Sequence, residues 1–195
     1  YLWLASYDEA DSIKSRIAPP EGYKRTAEEP GSFAEWLRSL PLKPGKPPVY
    51  LYNKKLKADQ SAHYAVVDIG CGTRDLQQCA DAVMRLRAEY LFARGEIKSI
   101  SFMLSDGKLT PFTGWLKERL IKSGRPAGET EILKAATYEN FQKYMIYIFS
   151  YAGTYSLSKS LKKVKSAKEI RCGDVFVKGG FPGHAVIVAD TAANE

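Results

Sequence analysis

The chain has 195 residues, of which 45% are hydrophobic and 26% are charged, a composition typical of a globular protein and not of a disordered one. Its 29 Lys and Arg exceed its 22 Asp and Glu, which gives a formal net charge of +7. The lysines are spread along the sequence without interleaved aromatic residues, so we expect no nucleic-acid partner. No apolar run reaches the roughly 18 residues that a membrane-spanning helix needs, so we expect no transmembrane segment.

Residues 1–48 predict a helical N-terminal arm. A short helix over 6–17 ends before a pair of prolines. Ser32 and Glu35 form the S-x-x-E pattern of a capping box, which predicts a second helix over 33–40. The loop that follows is rich in proline and separates this arm from the rest of the chain.

Residues 49–195 predict an α+β core with a helical insertion at 110–165, and we expect the whole chain, 1–195, to form a single domain. The predicted strands are 49–52, 64–69, 97–104, 175–178 and 185–189. The predicted helices are 75–92, 110–124 and 138–151, followed by a polar helical turn over 156–165. Because the strands do not alternate regularly with helices, this order favours a central helix packed on an antiparallel or mixed sheet.

The first candidate catalytic residue is His184. It opens an apolar strand directly after the glycine- and proline-rich turn 179–183. A histidine ring in that position lies at the mouth of a sheet, where it is both held and exposed, as a general base must be. The alternative is a structural histidine that only caps the turn by bonding a backbone carbonyl.

The second candidate is Cys79, near the start of the predicted helix 75–92. A thiolate there gains from the positive end of the helix and from a nearby imidazolium. With Asp75 as the N-cap, however, Cys79 is the fourth helical residue, where the dipole effect fades. It also lies on the apolar stripe of the helix, so an inert core cysteine is the alternative.

A cysteine on a helix followed by a histidine on a downstream strand is the order found in papain-like hydrolases. The segment from Gly173 to Val188 resembles the histidine strand of small papain-like cell-wall peptidases and amidases of bacteria. That resemblance implies a Cys79 nucleophile with His184 as its base. Asp68, on the strand before a glycine-rich break, is the candidate to orient the histidine. The sequence contains no glycine-rich nucleotide motif, zinc-protease motif or calcium loop, so we expect no cofactor and no metal.

A closer resemblance, over about 16–190, is to a bacterial family known only as domain of unknown function 4846. The motifs that carry it are PPEGY at 19–23, RDLQQCADAVMRLRAEY at 74–90, YAGT at 151–154, SL at 156–157, GDVF at 173–176 and GFPGHA at 180–185. The resemblance implies an exported protein, periplasmic or associated with the outer membrane, with a lipoprotein anchor outside this sequence. It implies no established activity.

Two hypotheses of different classes remain open. One is a papain-like cysteine hydrolase or amidohydrolase, a peptidase or amidase of the bacterial envelope that acts on a small molecule, a peptide or a cell-wall substrate. The other is a non-catalytic envelope binding module of the same fold. Whether Cys79 and His184 meet at a cleft that solvent reaches distinguishes them. Cys71 and Cys172 flank predicted strands, and we expect both to be free thiols.

Overall fold

A computed structural model describes residues 1–194. Its contacts divide the chain into two compact units, each assembled from segments far apart in sequence. Unit 1 comprises 1–2, 76–162 and 177–186, and unit 2 comprises 3–75, 163–176 and the residues after 186. The expected single domain with its arm at 1–48 and its insertion at 110–165 stays a prediction.

The helices of residues 1–194 vary in length from one turn to four. They are α1 (Ile13–Arg16), α2 (Phe33–Arg38), α3 (Cys79–Ala93), α4 (Phe112–Lys122), α5 (Glu129–Ala135), α6 (Tyr138–Tyr151) and α7 (Thr154–Ser160). Single 3-10 turns lie at Glu9–Asp11, Ile97–Ser99 and Ala167–Glu169. The predicted helix over 138–151 is confirmed in full, and those over 33–40 and 110–124 are confirmed with shorter ends.

The strands of residues 1–194 pair two by two. They are β1 (Lys24–Arg25), β2 (Ser101–Met103), β3 (Leu109–Pro111), β4 (Val175–Lys178), β5 (His184–Ile187) and β6 (Ala192–Ala193). β1 pairs with β6 and β2 with β3, both antiparallel, and β4 pairs with β5. The predicted α+β class is confirmed, with small sheets of two strands each.

The strands predicted over 49–52 and 64–69 are wrong. The structure has isolated bridges there instead, one joining Tyr50 to Leu56 and one joining Leu42 to Val67. The segment opposite 64–69 is rich in proline, which has no backbone N–H to donate to a ladder. Pairing therefore stops after a few hydrogen bonds, and neither run becomes a central strand.

The core of unit 1 is made by aromatic side chains of α4 and α6. Phe112, Phe141 and Tyr144 are fully buried, and the Tyr144 hydroxyl donates to the backbone oxygen of Thr110 at 2.7 Å. Helix α3 packs against α6, α7 and the turn at 97–99, and α7 also packs against β2. Burial of these large rings is the main stabilising contribution in this unit.

Unit 2 has an ion cluster in addition to its apolar core. Asp190 pairs with Arg25 at 2.6 Å and with Arg38 at 2.5 Å, and Arg38 also pairs with Glu28 at 3.1 Å. The Arg38 guanidinium further donates to the backbone oxygen of Thr26 at 2.7 Å. These contacts join α2 to the ribbon formed by β1 and the segment that leads into β6.

Candidate functional site

Helix α3 begins at Cys79, so the predicted start at Asp75 is wrong. Gln77 has a φ of +60°, a left-handed conformation that no residue within a right-handed helix adopts. Gln78 is the N-cap, and its backbone N–H donates to the carboxylate of Asp81 at 2.9 Å. Cys79 is therefore the first residue of the helix and not the fourth.

This position places Cys79 where the helix macrodipole acts most strongly. The partial positive charge at a helix N-terminus falls off within the first turn, so the objection to Cys79 that assumed the fourth helical position no longer applies. The Cys79 side chain is half-buried and unpaired, so solvent reaches it. Its role as a nucleophile stays a prediction, as does the alternative of an inert cysteine on the apolar stripe of the helix.

A chain of polar side chains runs along α3 behind Cys79. The Gln77 side-chain oxygen accepts a hydrogen bond from Arg85, which pairs with Glu89 at 3.3 Å. Tyr138 donates to both carboxylate oxygens of Glu89, at 3.0 and 3.2 Å. Burial raises the pKa of Glu89, and the attraction of Arg85 opposes that shift. Through these side-chain contacts, Gln77, two residues before Cys79, is connected to Arg85 and Glu89 within α3.

Asp81 is a residue that sequence reasoning missed. It is only 7% exposed, and while one carboxylate oxygen accepts from the Gln78 N–H, the other has no partner. Burial raises the pKa of this carboxyl to about 6. The signal was present, because an acidic residue three positions after an N-cap is a capping pattern, but it required the correct helix start.

His184 is the first residue of β5 and its side chain is exposed. The turn before it is fixed against α7, since the Thr154 hydroxyl donates to the backbone oxygen of Gly180 at 3.1 Å. A Cβ atom on Gly183 would overlap that same hydroxyl, so only glycine fits there. Helix α7 thus contacts both the turn that carries His184 and α3, the helix that begins with Cys79.

Within residues 1–194, no hydrogen bond joins the Cys79 thiol to the His184 ring. Asp68 belongs to unit 2, where its backbone oxygen accepts from the indole of Trp3 at 2.7 Å and its N–H donates to Pro41 at 2.8 Å. The roles of Cys79 as nucleophile, of His184 as base and of Asp68 as orienting residue stay predictions.

The other two cysteines have contrasting surroundings, and neither forms a disulfide. Cys71 is exposed. The Cys172 thiol donates to the backbone oxygens of Ala189, at 3.1 Å, and Ala34, at 3.5 Å. Burial raises the pKa of Cys172 to about 11, which makes its thiolate scarce at neutral pH.

Residues 1–194 contain no group of three or more His, Cys, Asp or Glu side chains placed to hold a metal ion. None of the helices in this described part of the chain is both long and apolar enough to cross a membrane.

Residues 13–195 match the family described as domain of unknown function 4846, and the chain belongs to that family. The resemblance to domain of unknown function 4846 is thereby confirmed, whereas the resemblance to papain-like hydrolases stays a prediction. The description of the family names no activity, substrate or partner. No curated protein and no solved structure matches the chain.

Proposed function

We propose that the protein is a papain-like cysteine hydrolase or amidohydrolase of the bacterial envelope, a peptidase or amidase with Cys79 as nucleophile and His184 as base. The observation that carries the proposal is that Cys79 is the first residue of α3, half-buried and unpaired. A cysteine at the start of a helix and partly open to solvent can be reached by a substrate, as a nucleophile must be.

In the proposed reaction, His184 takes the thiol proton and the Cys79 sulfur attacks the carbonyl carbon of an amide or ester. The first backbone N–H groups of α3 have no partner within the helix, so they are available to stabilise the oxyanion that forms. The leaving amine or alkoxide receives the proton from the histidine. Water then hydrolyses the thioester and regenerates the thiol.

Two contacts support the proposal that His184 can reach Cys79. Helix α7 packs against α3, and its Thr154 hydroxyl holds the turn that precedes the histidine. The exposed histidine ring is free of hydrogen bonds that would fix it away from a substrate. A nucleophile and its base must share a proton, so closure of the pair on substrate binding is part of the proposal.

The proposed cellular location rests on the motifs shared with the family. We place the protein outside the cytoplasm, in the periplasm or at the outer membrane, with a lipoprotein anchor outside this sequence. Its substrate class is an amide or ester in a small molecule, a peptide or the cell wall. Separation of membrane, periplasmic and cytoplasmic fractions of the source cells tests this placement, and recovery in the cytoplasm contradicts it.

Alkylation kinetics test the catalytic pair. In a Cys71→Ser/Cys172→Ser background only Cys79 remains, and its reaction with iodoacetamide at pH 7 is followed by mass spectrometry. We expect a rate above that of a free cysteine and the loss of this excess in His184→Ala. His63→Ala is the matched control, because His63 lies in unit 2 and hydrogen-bonds the backbone oxygen of Pro47. It should leave the rate unchanged.

His184→Gln keeps a polar side chain at the strand start and guards against a folding defect in the alanine variant. Thermal melts establish that each variant is folded. If the folded parent reacts no faster than a free cysteine, or if both His184 variants keep the full rate, Cys79 is not an activated nucleophile. The hydrolase proposal then fails, and the non-catalytic envelope binding module remains.

A further inference from the structure

A cavity of about 370 Å³ opens in unit 1, beside the C-terminal end of α4 and the segment that joins α5 to α6. This volume lies within the roughly 300–1,000 Å³ typical of small-molecule sites. The residues that carry the argument are Leu116, Arg119, Leu120, Lys122, Arg125 and Asn140. None of them belongs to the proposed Cys79 and His184 pair, so the cavity is independent of the proposed function.

The floor of the cavity is apolar. Leu116 and Leu120 are one helical turn apart on α4, and their exposed fractions are 1% and 4%. Ala135, from the end of α5, adds a small apolar side chain to the wall. A ligand that reaches this floor contacts hydrocarbon, so part of the ligand must itself be apolar.

The rim of the cavity is cationic. Arg119, Lys122 and Arg125 line it, and within residues 1–194 none of the three forms an ion pair with a carboxylate. Glu118 precedes Lys122 by one helical turn but does not pair with it. No acidic residue among 1–194 lines the cavity. The rim therefore carries a positive charge that the protein itself does not neutralise.

The guanidinium of Arg119 is held in a defined plane. It lies over the ring of Trp115, with 4.6 Å between the guanidinium carbon and the ring centroid. Such stacking leaves the N–H groups at the edge of the guanidinium free to bind a carboxylate or phosphate in bidentate fashion. The stack positions Arg119 for an anion before any ligand arrives.

The C-terminal end of α4 would normally oppose an anion, because its last carbonyls carry partial negative charge. Here the Leu120 carbonyl accepts from the Ser123 hydroxyl at 2.8 Å and from the Arg125 N–H at 3.0 Å. The chain turns back at Gly124, whose φ is +71°. These bonds satisfy the Leu120 carbonyl and hold the backbone of Arg125 beside the end of α4.

The opposite wall is also fixed, since the Asn140 side-chain amide donates to the backbone oxygen of Ala135 at 2.8 Å. We propose that the cavity binds a small organic anion, with its carboxylate or phosphate on Arg119, Lys122 and Arg125 and a short hydrocarbon chain on Leu116 and Leu120. The apolar floor and the unpaired cationic rim specify both halves of this ligand.

Isothermal titration with four probes that each carry a six-carbon alkyl chain tests the proposal: hexyl phosphate, heptanoate, hexanol and hexylammonium. We expect the two anions to bind and the alcohol and the ammonium ion not to bind. Whichever anion binds more tightly identifies phosphate or carboxylate as the headgroup, and equal binding supports the shared chemistry. Affinity should rise about fourfold for each methylene added to the chain until the cavity is filled.

Arg119→Gln/Arg125→Gln should weaken anion binding by about a hundredfold, since each charge-assisted contact is worth about tenfold. Lys162→Gln/Lys163→Gln is the control, because it removes the same charge from exposed positions outside the cavity. It should change the affinity less than about twofold, as expected for screened surface charges. Cys79→Ser should bind normally, which separates this test from that of the proposed hydrolase.

Three results would overturn the inference. Hexanol binding as tightly as hexyl phosphate would show that the rim is not used. Equal weakening by the two double variants would show non-specific attraction to the net charge. No binding of either anion at millimolar concentration by the folded parent would show that the cavity is not a ligand site.

Discussion

The two units of the molecule hold their polar groups in different ways. Unit 1 has a core of aromatic rings in tilted and edge-to-face contact, and its buried carboxylate Glu89 bonds one arginine and one tyrosine. Unit 2 places two arginines, Arg25 and Arg38, around the carboxylate of Asp190. Ring packing mainly fixes the side-chain positions in unit 1, whereas an ion cluster mainly fixes them in unit 2.

The cysteines show what this difference does to a thiol. Cys79 lies at a helix end of unit 1, where the thiol is half-exposed and has no hydrogen bond among residues 1–194. Cys172 lies beside the ion cluster of unit 2, bonded to two backbone oxygens, and burial raises its pKa against the attraction of Arg38. The Cys172 thiol is held by two backbone hydrogen bonds, whereas among residues 1–194 the Cys79 thiol has none.

The largest effect is expected from Phe141→Ala in unit 1. Phe141 is fully buried, with its ring centroid 4.6 Å from that of Phe92 and 6.1 Å from that of Phe112. Removing the ring leaves a cavity, so the free energy of unfolding should fall by about 3 to 5 kcal/mol in urea melts. A loss below about 1 kcal/mol would show that the aromatic core does not determine the stability of this unit.

Asp190→Ala tests the ion cluster of unit 2. It leaves Arg38, whose side chain is 9% exposed, without one of its two carboxylate partners. We expect a loss of about 2 to 4 kcal/mol, since an uncompensated buried charge is costly. Glu96→Ala breaks the exposed pair between Arg94 and Glu96 and should cost less than about 1 kcal/mol. Equal effects of the two variants would contradict the comparison.

The buried carboxyl of Asp81, in unit 1, predicts that the free energy of unfolding depends on pH. Burial raises its folded pKa from the ordinary 3.8 to about 6, so between these values the native state holds a proton that the unfolded state has lost. This contribution to stability is fully present below about pH 3.8 and is lost as the pH rises through 6, by about 2 to 3 kcal/mol in total.

Urea melts of the parent and of Asp81→Asn between pH 3.5 and 7.5 isolate this contribution, because all other groups titrate in both proteins. The stability of the asparagine variant relative to the parent should increase as the pH rises. Asp75→Asn, which changes an exposed carboxyl nearby, is the control and should show no such trend. A difference in unfolding free energy between the parent and Asp81→Asn that stays constant with pH would contradict a buried Asp81 carboxyl with a raised pKa.

The elements with strong helical periodicity could be predicted from the sequence, and the others depended on contacts that the sequence does not display. The predicted bounds of helix α6 agree with the structure, because its apolar stripe is strong and Gly153 follows its end. The prediction of a strand at 64–69 was wrong because its β-branched residues give no information about its pairing partner, which is a proline-rich segment. Cys79 and His184 were proposed from residue type and order and stay predictions, whereas the cavity beside Arg119 forms only where α4 packs against α5 and α6.

The smallest expected effect concerns two residues that share a left-handed backbone conformation. Lys54 in unit 2 has a φ of +64° and Gln77 in unit 1 has a φ of +60°. A left-handed conformation costs a residue with a side chain about 1 kcal/mol or more, whereas glycine adopts it freely. Lys54 is exposed, and its backbone N–H bond to Leu51 at 2.9 Å survives in glycine. Lys54→Gly should therefore stabilise the protein by about 0.5 to 1 kcal/mol.

Gln77→Gly relieves the same strain but also removes the side-chain oxygen that accepts from Arg85. The loss of a hydrogen bond to a charged group outweighs the relief, so this variant should be destabilised by about 0.5 to 1 kcal/mol. Its effect should extend to the iodoacetamide reactivity of Cys79, two residues along, whereas Lys54→Gly should leave that reactivity unchanged. A stabilising Gln77→Gly would mean that the polar chain behind Cys79 does not hold the start of α3.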